Sequence, residues 1–140
     1  MTVYPMVNPL QHRLSISTTD AQSGNKVFAF IKGKSPATVN PALWRQAQLN
    51  NNNGLFKITD GVYQVRSFDV ANISFIETKT GYVVIDALTV AESSAAAYEL
   101  VKKHVGDKPI LAVIVTHSHG DHYGGAAWLQ KTTKCFFRQV

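Results

Sequence analysis

Cys135 is the only cysteine in the chain. No internal disulfide can form, so oxidative cross-linking is excluded as a source of stability. With Phe136 and Phe137 beside it, Cys135 reads as a small buried hydrophobe rather than a nucleophile or metal ligand. Long apolar runs are missing too: none approaches the roughly 18 residues that a membrane span needs. The opening Met1-Thr2-Val3-Tyr4-Pro5 has no basic stretch followed by an apolar one. As written, the chain is therefore expected in the cytoplasm, or in the periplasm or outside the cell if the N-terminus is incomplete. Charge is sparse, at 16% of residues, and the net +5 is dispersed. Basic residues are scattered from Arg13 to Arg138, with no run longer than Lys102-Lys103. That is the pattern of a solvated surface, not of a nucleic-acid footprint.

Apolar residues make up 45% of the 140, enough for one globular domain with a real core. Residues 1–35 are polar and irregular and read as a weakly ordered leader, with a possible short strand at Val27-Phe28-Ala29-Phe30-Ile31. Pro36 and Pro41 bracket a turn. Asn40 is a good N-cap and Pro41 suits the first helical position, so a short helix is expected from Ala42 to Leu49. The four asparagines at 50–53 and Gly54 stop it.

Strands follow. Leu55-Phe56-Lys57-Ile58 and Val62-Tyr63-Gln64-Val65 flank Thr59-Asp60-Gly61, and Asp-Gly between alternating apolar residues signals a hairpin. Ala71 to Glu77 alternates. Tyr82-Val83-Val84-Ile85 is apolar throughout, which predicts a strand covered on both faces. Val90 to Val105 forms a helix whose stripe is Val90, Ala97, Leu100, Val101 and Val105, closed by Gly106. Ile110 to Val115 is a second apolar strand. Strand, helix, strand makes a βαβ unit with parallel neighbours.

The chemistry is concentrated just after that strand, in Thr116-His117-Ser118-His119-Gly120-Asp121-His122. Ligand sites in α/β sheets lie beyond the carboxyl ends of strands. His117 and His119 are two apart, so in an extended segment they point the same way and can hold one ion. Asp121 and His122 lie past a glycine, where the chain can turn to serve a second. Imidazole nitrogen and carboxylate oxygen suit Zn²⁺, and also iron or manganese. Gly120, Gly124 and Gly125 let the backbone pass close and start a helix near Ala126. A single histidine at a strand end is usually structural. Three with an aspartate in six residues are hard to explain as packing.

The pattern His117-x-His119-x-Asp121-His122, with Thr116 before it and Gly124-Gly125 after it, resembles the first motif of the metallo-β-lactamase superfamily. The blocks 37–50 and 54–60, Tyr63-Gln64-Val65-Arg66, and 72–77 are similar to the linear alkylsulfatase branch. The likeness covers about residues 36–130. It implies an α/β (α+β) chain carrying part of an αββα fold, its first half, and hydrolysis of alkyl sulfate esters such as dodecyl sulfate. It also implies a centre of two zinc ions, with His117 and His119 on the first and Asp121 and His122 on the second. Such a centre activates water and neutralises developing sulfate charge. The resemblance also implies a catalytic part for Asp121, steering that water. The family is homodimeric through a region not found in this sequence.

After His122 the sequence has no further His, Asp or Glu, so each ion draws at most two ligands from it, whereas a catalytic zinc takes three plus a water. The tail, residues 131–140, resembles nothing placed in the family. These departures suggest a truncated or frameshifted chain with little activity alone. Two other readings stand beside it. One is a different hydrolase of the superfamily (lactonase, thioesterase or β-lactamase), which the segment from Asn40 to Gln46 argues against. The other is a non-catalytic metal-binding remnant. Ser118 lacks a free base. Asp86 either orients a ligand or serves a helix N-terminus. Trp44 reads as packed and Arg45 as solvated or ion-paired. Asn72 and Phe75 are candidates to approach a substrate cleft. A half-domain would leave a sheet face open and favour self-association.

Overall fold

The computed structural model describes residues 28–131 and 136–139. Expectations for residues 1–27 and for Cys135 therefore lie outside the described residues. Helix α1, Pro41–Asn50, begins as its sequence dictates: the Asn40 side chain accepts from the Ala42 amide, and Pro41 takes the first turn, where no N–H is needed. Residues 28–30 form a turn and not the expected strand. The Ile31 amide donates to the Phe28 carbonyl at 3.0 Å, a local bond that closes the chain on itself instead of leaving it free for a sheet.

Strands β1 (Gly54–Thr59), β2 (Val62–Arg66), β3 (Ile73–Glu77) and β4 (Tyr82–Ile85) form an antiparallel meander. Gly61 turns the first hairpin with φ at 72°, and the register shifts between Lys57 and Thr59 to accommodate it. Helix α2, Ala91–His104, then crosses over to β5, Ile110–Val115, which pairs parallel with β4. Two short helices follow, α3 (Gly120–Tyr123) and α4 (Ala126–Lys131), and β6 (Phe136–Gln139) adds a second parallel pairing to β5. The result is one mixed six-stranded sheet in sequence order.

One face of that sheet is the core. Val65, Ile73, Phe75, Tyr82, Val84, Ile110 and Val113 are buried with Ala97, Leu100 and Val101 of α2 and with Ala126 and Leu129 of α4. Phe75 stacks on Tyr98 of α2, centroids 6.4 Å apart, and meets Tyr82 edge-on at 6.0 Å. Phe75 is therefore a core residue and does not approach a cleft, because its strand position places it on the helix-covered face. Val90, expected in the α2 stripe, is the exposed N-cap.

The other face differs from expectation. Strand pairing places Val62, Ile76, Val83, Ile85, Ala112 and Ile114 together on it, and none of these is buried. β4 is thus apolar throughout yet covered on one face only among the described residues. Toward β1 this face turns polar: Phe56 lies under the Arg66 guanidinium at 4.6 Å, and Arg66 Nε donates to Gln64 Oε1 at 2.7 Å.

Candidate metal centre

The loop from Thr116 to His122 leaves β5 at the carboxyl end of the two parallel strands β4 and β5, where α/β sheets present ligand sites. The backbone enters extended, with His119 at φ −76° and ψ 142°, and then winds into α3 at Gly120. This one change of conformation sorts the four side chains into two pairs.

His117 Nε2 lies 3.2 Å from His119 Nδ1. Two nitrogens sharing a tetrahedral zinc at about 2.0–2.1 Å stand roughly 3.3 Å apart, so the pair has the spacing of two ligands on one ion. On the other side, His122 Nε2 is 3.3 Å from Asp121 Oδ2. The pairs are adjacent, with the His117 and His122 ring centroids 3.9 Å apart. No group of three His, Cys, Asp or Glu among the described residues is arranged to hold a metal ion. The donors present, imidazole nitrogen and carboxylate oxygen, are of the kind that zinc takes.

Asp86 decides which ring nitrogens are free. It stands just past β4, buried, in a left-handed conformation with φ at 60°. Its backbone amide donates to the Ile114 carbonyl at 2.8 Å, which anchors it beside β5. Its carboxylate accepts from the Thr116 amide at 2.9 Å and from the Thr116 hydroxyl at 2.9 and 3.0 Å. It also lies 2.8 Å from His122 Nδ1. A carboxylate only accepts, so His122 Nδ1 carries a proton toward Asp86, and Nε2 is turned toward Asp121. The Thr116 hydroxyl has given its one hydrogen to Asp86. Toward His117 Nδ1, 3.0 Å away, it can therefore only accept, which leaves His117 Nε2 free to face His119. A single carboxylate orients the His122 ring directly and the His117 ring through Thr116, the arrangement by which outer groups orient metal-ligating histidines.

Burial pushes the Asp86 carboxyl up, but the Thr116 amide, the His122 ring and the Thr116 hydroxyl outweigh it. Its pKa lies below the ordinary 3.8. Asp86 thus orients the His122 ring; it does not cap α2, which starts five residues later with no side-chain cap.

The loop is pressed onto the segment 86–90. The Ala87 amide donates to the His122 carbonyl at 2.8 Å, and the Gly125 amide to the Leu88 carbonyl at 3.1 Å. A Cβ on Gly124 would lie 1.9 Å from the Thr89 carbonyl oxygen, and one on Gly125 would lie 1.9 Å from Ser94 Oγ and 2.3 Å from the Ala87 carbonyl. Only glycine permits these approaches. Gly120, by contrast, has open space around it.

The remaining candidates fall elsewhere. Ser118 is exposed. Trp44 is half-buried and donates from Nε1 to the Gly33 carbonyl at 3.2 Å, a packing role, while Arg45 is exposed. Asn72 is exposed and lines a cavity of about 680 Å³ with Phe28, Ile31, Asn50 and Phe68. That cavity lies between α1 and the β2–β3 loop. Sequence reading missed Asp69, whose carboxylate reaches Thr89 and Ser93 across 20 and 24 residues. Nothing local in the sequence signals a contact at that separation.

A mixed sheet with a three-histidine, one-aspartate loop at the carboxyl end of its parallel strands defines an α/β domain with a candidate metal loop. The chain belongs to the metallo-beta-lactamase superfamily, whose pattern matches residues 66–135. Among curated relatives, an alkyl/aryl-sulfatase of Saccharomyces cerevisiae is 50% identical over 107 residues, 76% of this chain and 17% of that protein. A linear primary-alkylsulfatase of a Pseudomonas species is 51% identical over 100 residues, 70% of this chain and 15% of that one. The solved structure of a stereoselective inverting sec-alkylsulfatase from Pseudomonas superposes with a TM-score of 0.75 at 44% identity, covering 81% of this chain and 19% of that one. The chain spans about a sixth of the length of the curated relatives it matches. The superfamily implies metal ions, typically zinc.

Proposed function

We propose that this chain contributes the first four ligands of a binuclear zinc centre that hydrolyses alkyl sulfate esters, dodecyl sulfate among them, to alcohol and sulfate. The supporting observation is the placement of two ligand pairs side by side, in a chain about half identical to alkylsulfatases. His117 Nε2 and His119 Nδ1 make one pair; Asp121 and His122 make the other. His117 and His119 hold one ion through the two nitrogens that Thr116 and the extended backbone leave facing each other. Asp121 and His122 hold the second. When bound, two zinc ions supply Lewis-acid charge neutralisation and make water acidic enough to serve as a nucleophile near neutral pH.

The chain's own residues do the rest. Asp86 keeps the His122 proton on Nδ1, away from the metal side. Asp121, part-exposed at the mouth of the site, has an oxygen available to orient an attacking water. Water adds across the sulfate ester, so that R–O–SO₃⁻ and H₂O give R–OH, SO₄²⁻ and a proton. No helix among the described residues is long and apolar enough to cross a membrane.

Zinc stoichiometry of the 140-residue chain, with sulfate release from dodecyl sulfate, tests the reading. Two ligands per ion predict weak zinc binding and little turnover, because a catalytic zinc takes three. His117→Ala combined with His119→Ala should abolish uptake of one ion. Unchanged uptake would sink the assignment.

A further inference from the structure

We propose that Asp69, in the β2–β3 loop, is a positioning residue that holds the metal loop in its ligating shape by fastening the segment beneath it. The proposal rests on the reading of 117–122 as a metal loop. Both oxygens of the Asp69 carboxylate are committed. Oδ1 accepts from the Thr89 hydroxyl and the Val70 amide, each at 2.7 Å. Oδ2 accepts from the Thr89 amide at 3.0 Å and the Ser93 hydroxyl at 2.7 Å. Four donors converge on one side chain, and three of them belong to the start of α2 and the residue pair before it.

The need for a clamp arises from the conformation of residues 86–90. Asp86 and Leu88 both have φ near 60°, at 60° and 58°. Residues with a Cβ avoid that region unless their surroundings impose it. The segment therefore does not hold its own shape. Leu88 is held by full burial, Ala87 by the Ser94 hydroxyl donating to its carbonyl, and Thr89 by Asp69. The metal loop in turn takes its position from this segment. His122 is tied by its carbonyl to the Ala87 amide, Gly125 by its amide to the Leu88 carbonyl, and Gly124 lies directly against the Thr89 carbonyl. If Thr89 shifts, Gly124 loses its seat, and the turn that sets Asp121 and His122 beside each other shifts with it. Asp69 touches none of the four ligands and acts only through this chain of contacts.

Asp69→Asn keeps the size and replaces one acceptor oxygen with an NH₂ group. Each carboxylate oxygen accepts from one backbone amide, which cannot reverse its direction, so either orientation of the amide opposes a fixed donor. Glu77→Gln is the control: it weakens an ion pair with Lys108, 2.8 Å long, at the opposite end of the sheet. Two readouts on the 140-residue chain decide the matter. The first is amide hydrogen exchange at Ala87 and Gly125 without metal. The second is Co²⁺ affinity by its visible absorption.

Asp69→Asn should exchange both amides at least about tenfold faster than Glu77→Gln at matched melting temperature. It should also bind Co²⁺ about tenfold more weakly, the low end for an outer-shell change. Thr89→Val removes one hydroxyl bond and should give a smaller effect of the same sign, which keeps the test open if Asp69→Asn folds poorly. Exchange and affinity that follow global stability alike in the aspartate, threonine and control variants would overturn the proposal. A wild-type chain that takes up no Co²⁺ would overturn the metal-loop reading and the role given to Asp69 with it, even where exchange responds.

Discussion

The Asp86 carboxylate lies 2.8 Å from His122 Nδ1, and the same carboxylate accepts the Thr116 hydroxyl that faces His117. One residue past β4 thereby sets the proton positions of a histidine in each ligand pair. Replacing it should affect both ions. Asp86→Asn tolerates the left-handed backbone and keeps the shape, but it offers one acceptor where two are used. Zinc affinity should fall by roughly 10–100-fold, as for other orienting groups. Competition titration with a chromophoric chelator measures it; an affinity within about twofold of wild type would contradict the tautomer argument.

The glycines of the loop divide by their surroundings. Gly124→Ala and Gly125→Ala each place a methyl 1.9 Å from a heavy atom, the first against backbone. Each should destabilise the chain by about 1–3 kcal/mol or more, since overpacking forces neighbours to move. Gly120→Ala meets nothing within 4 Å and sits at the first turn of α3, so its stability should be unchanged or slightly raised. Urea unfolding midpoints of the three variants check this ordering.

Acid should unfold the protein through Asp86 and Asp69. Burial raises each carboxyl, but hydrogen bonds outweigh it: the Thr116 amide and the His122 ring at Asp86, the Thr89 and Ser93 hydroxyls at Asp69. Both pKa values lie below the unfolded 3.8. A depressed folded-state pKa means that the stabilisation is fully present above the unfolded value and is lost as pH falls through the folded one. The unfolding midpoint should be level from about pH 7 to 5 and decline below about pH 4. In Asp86→Asn the decline should be shallower. Urea titrations across that range decide it.

The sheet face left uncovered among the described residues should make the 140-residue chain self-associate. Val62, Ile76, Val83, Ile85, Ala112 and Ile114 share it, and Ile76 is 37% exposed in its middle. Contiguous apolar surface of this kind is seldom left open on a monomer. Size-exclusion chromatography should show oligomers, and Ile76→Lys should shift them toward monomer. A clean wild-type monomer at micromolar concentration would count against the prediction.

Local chemistry made much of this molecule legible. Asn40-Pro41 announced α1, Asp60-Gly61 the first hairpin, and the apolar runs on either side of α2 announced a parallel pair, because each depends on neighbours within a few residues. The residues at 28–31 misled: their strand propensity is real, but among the described residues no sheet partner reaches them and a local turn takes their hydrogen bonds. Phe75 misled in the opposite direction. Alternation placed it in a strand, but only the fold shows that its face is the one packed under α2.

The metal loop shows the same division. By itself the sequence singled out the four proposed ligands, and the spacing of His117 and His119 and the glycine before Asp121 act through the local backbone to set which side chains lie together. Only the tertiary structure decided which ring nitrogens are turned toward Asp86 and Thr116 and which face the other proposed ligands. That choice is made by Asp86, 30 residues before Thr116, and by the seat that Thr89 and Asp69 provide for Gly124. A hydrogen-bond donor carries no mark in the sequence of the acceptor it will meet. The pairing arises when β4 and β5 come side by side and bring their carboxyl ends together.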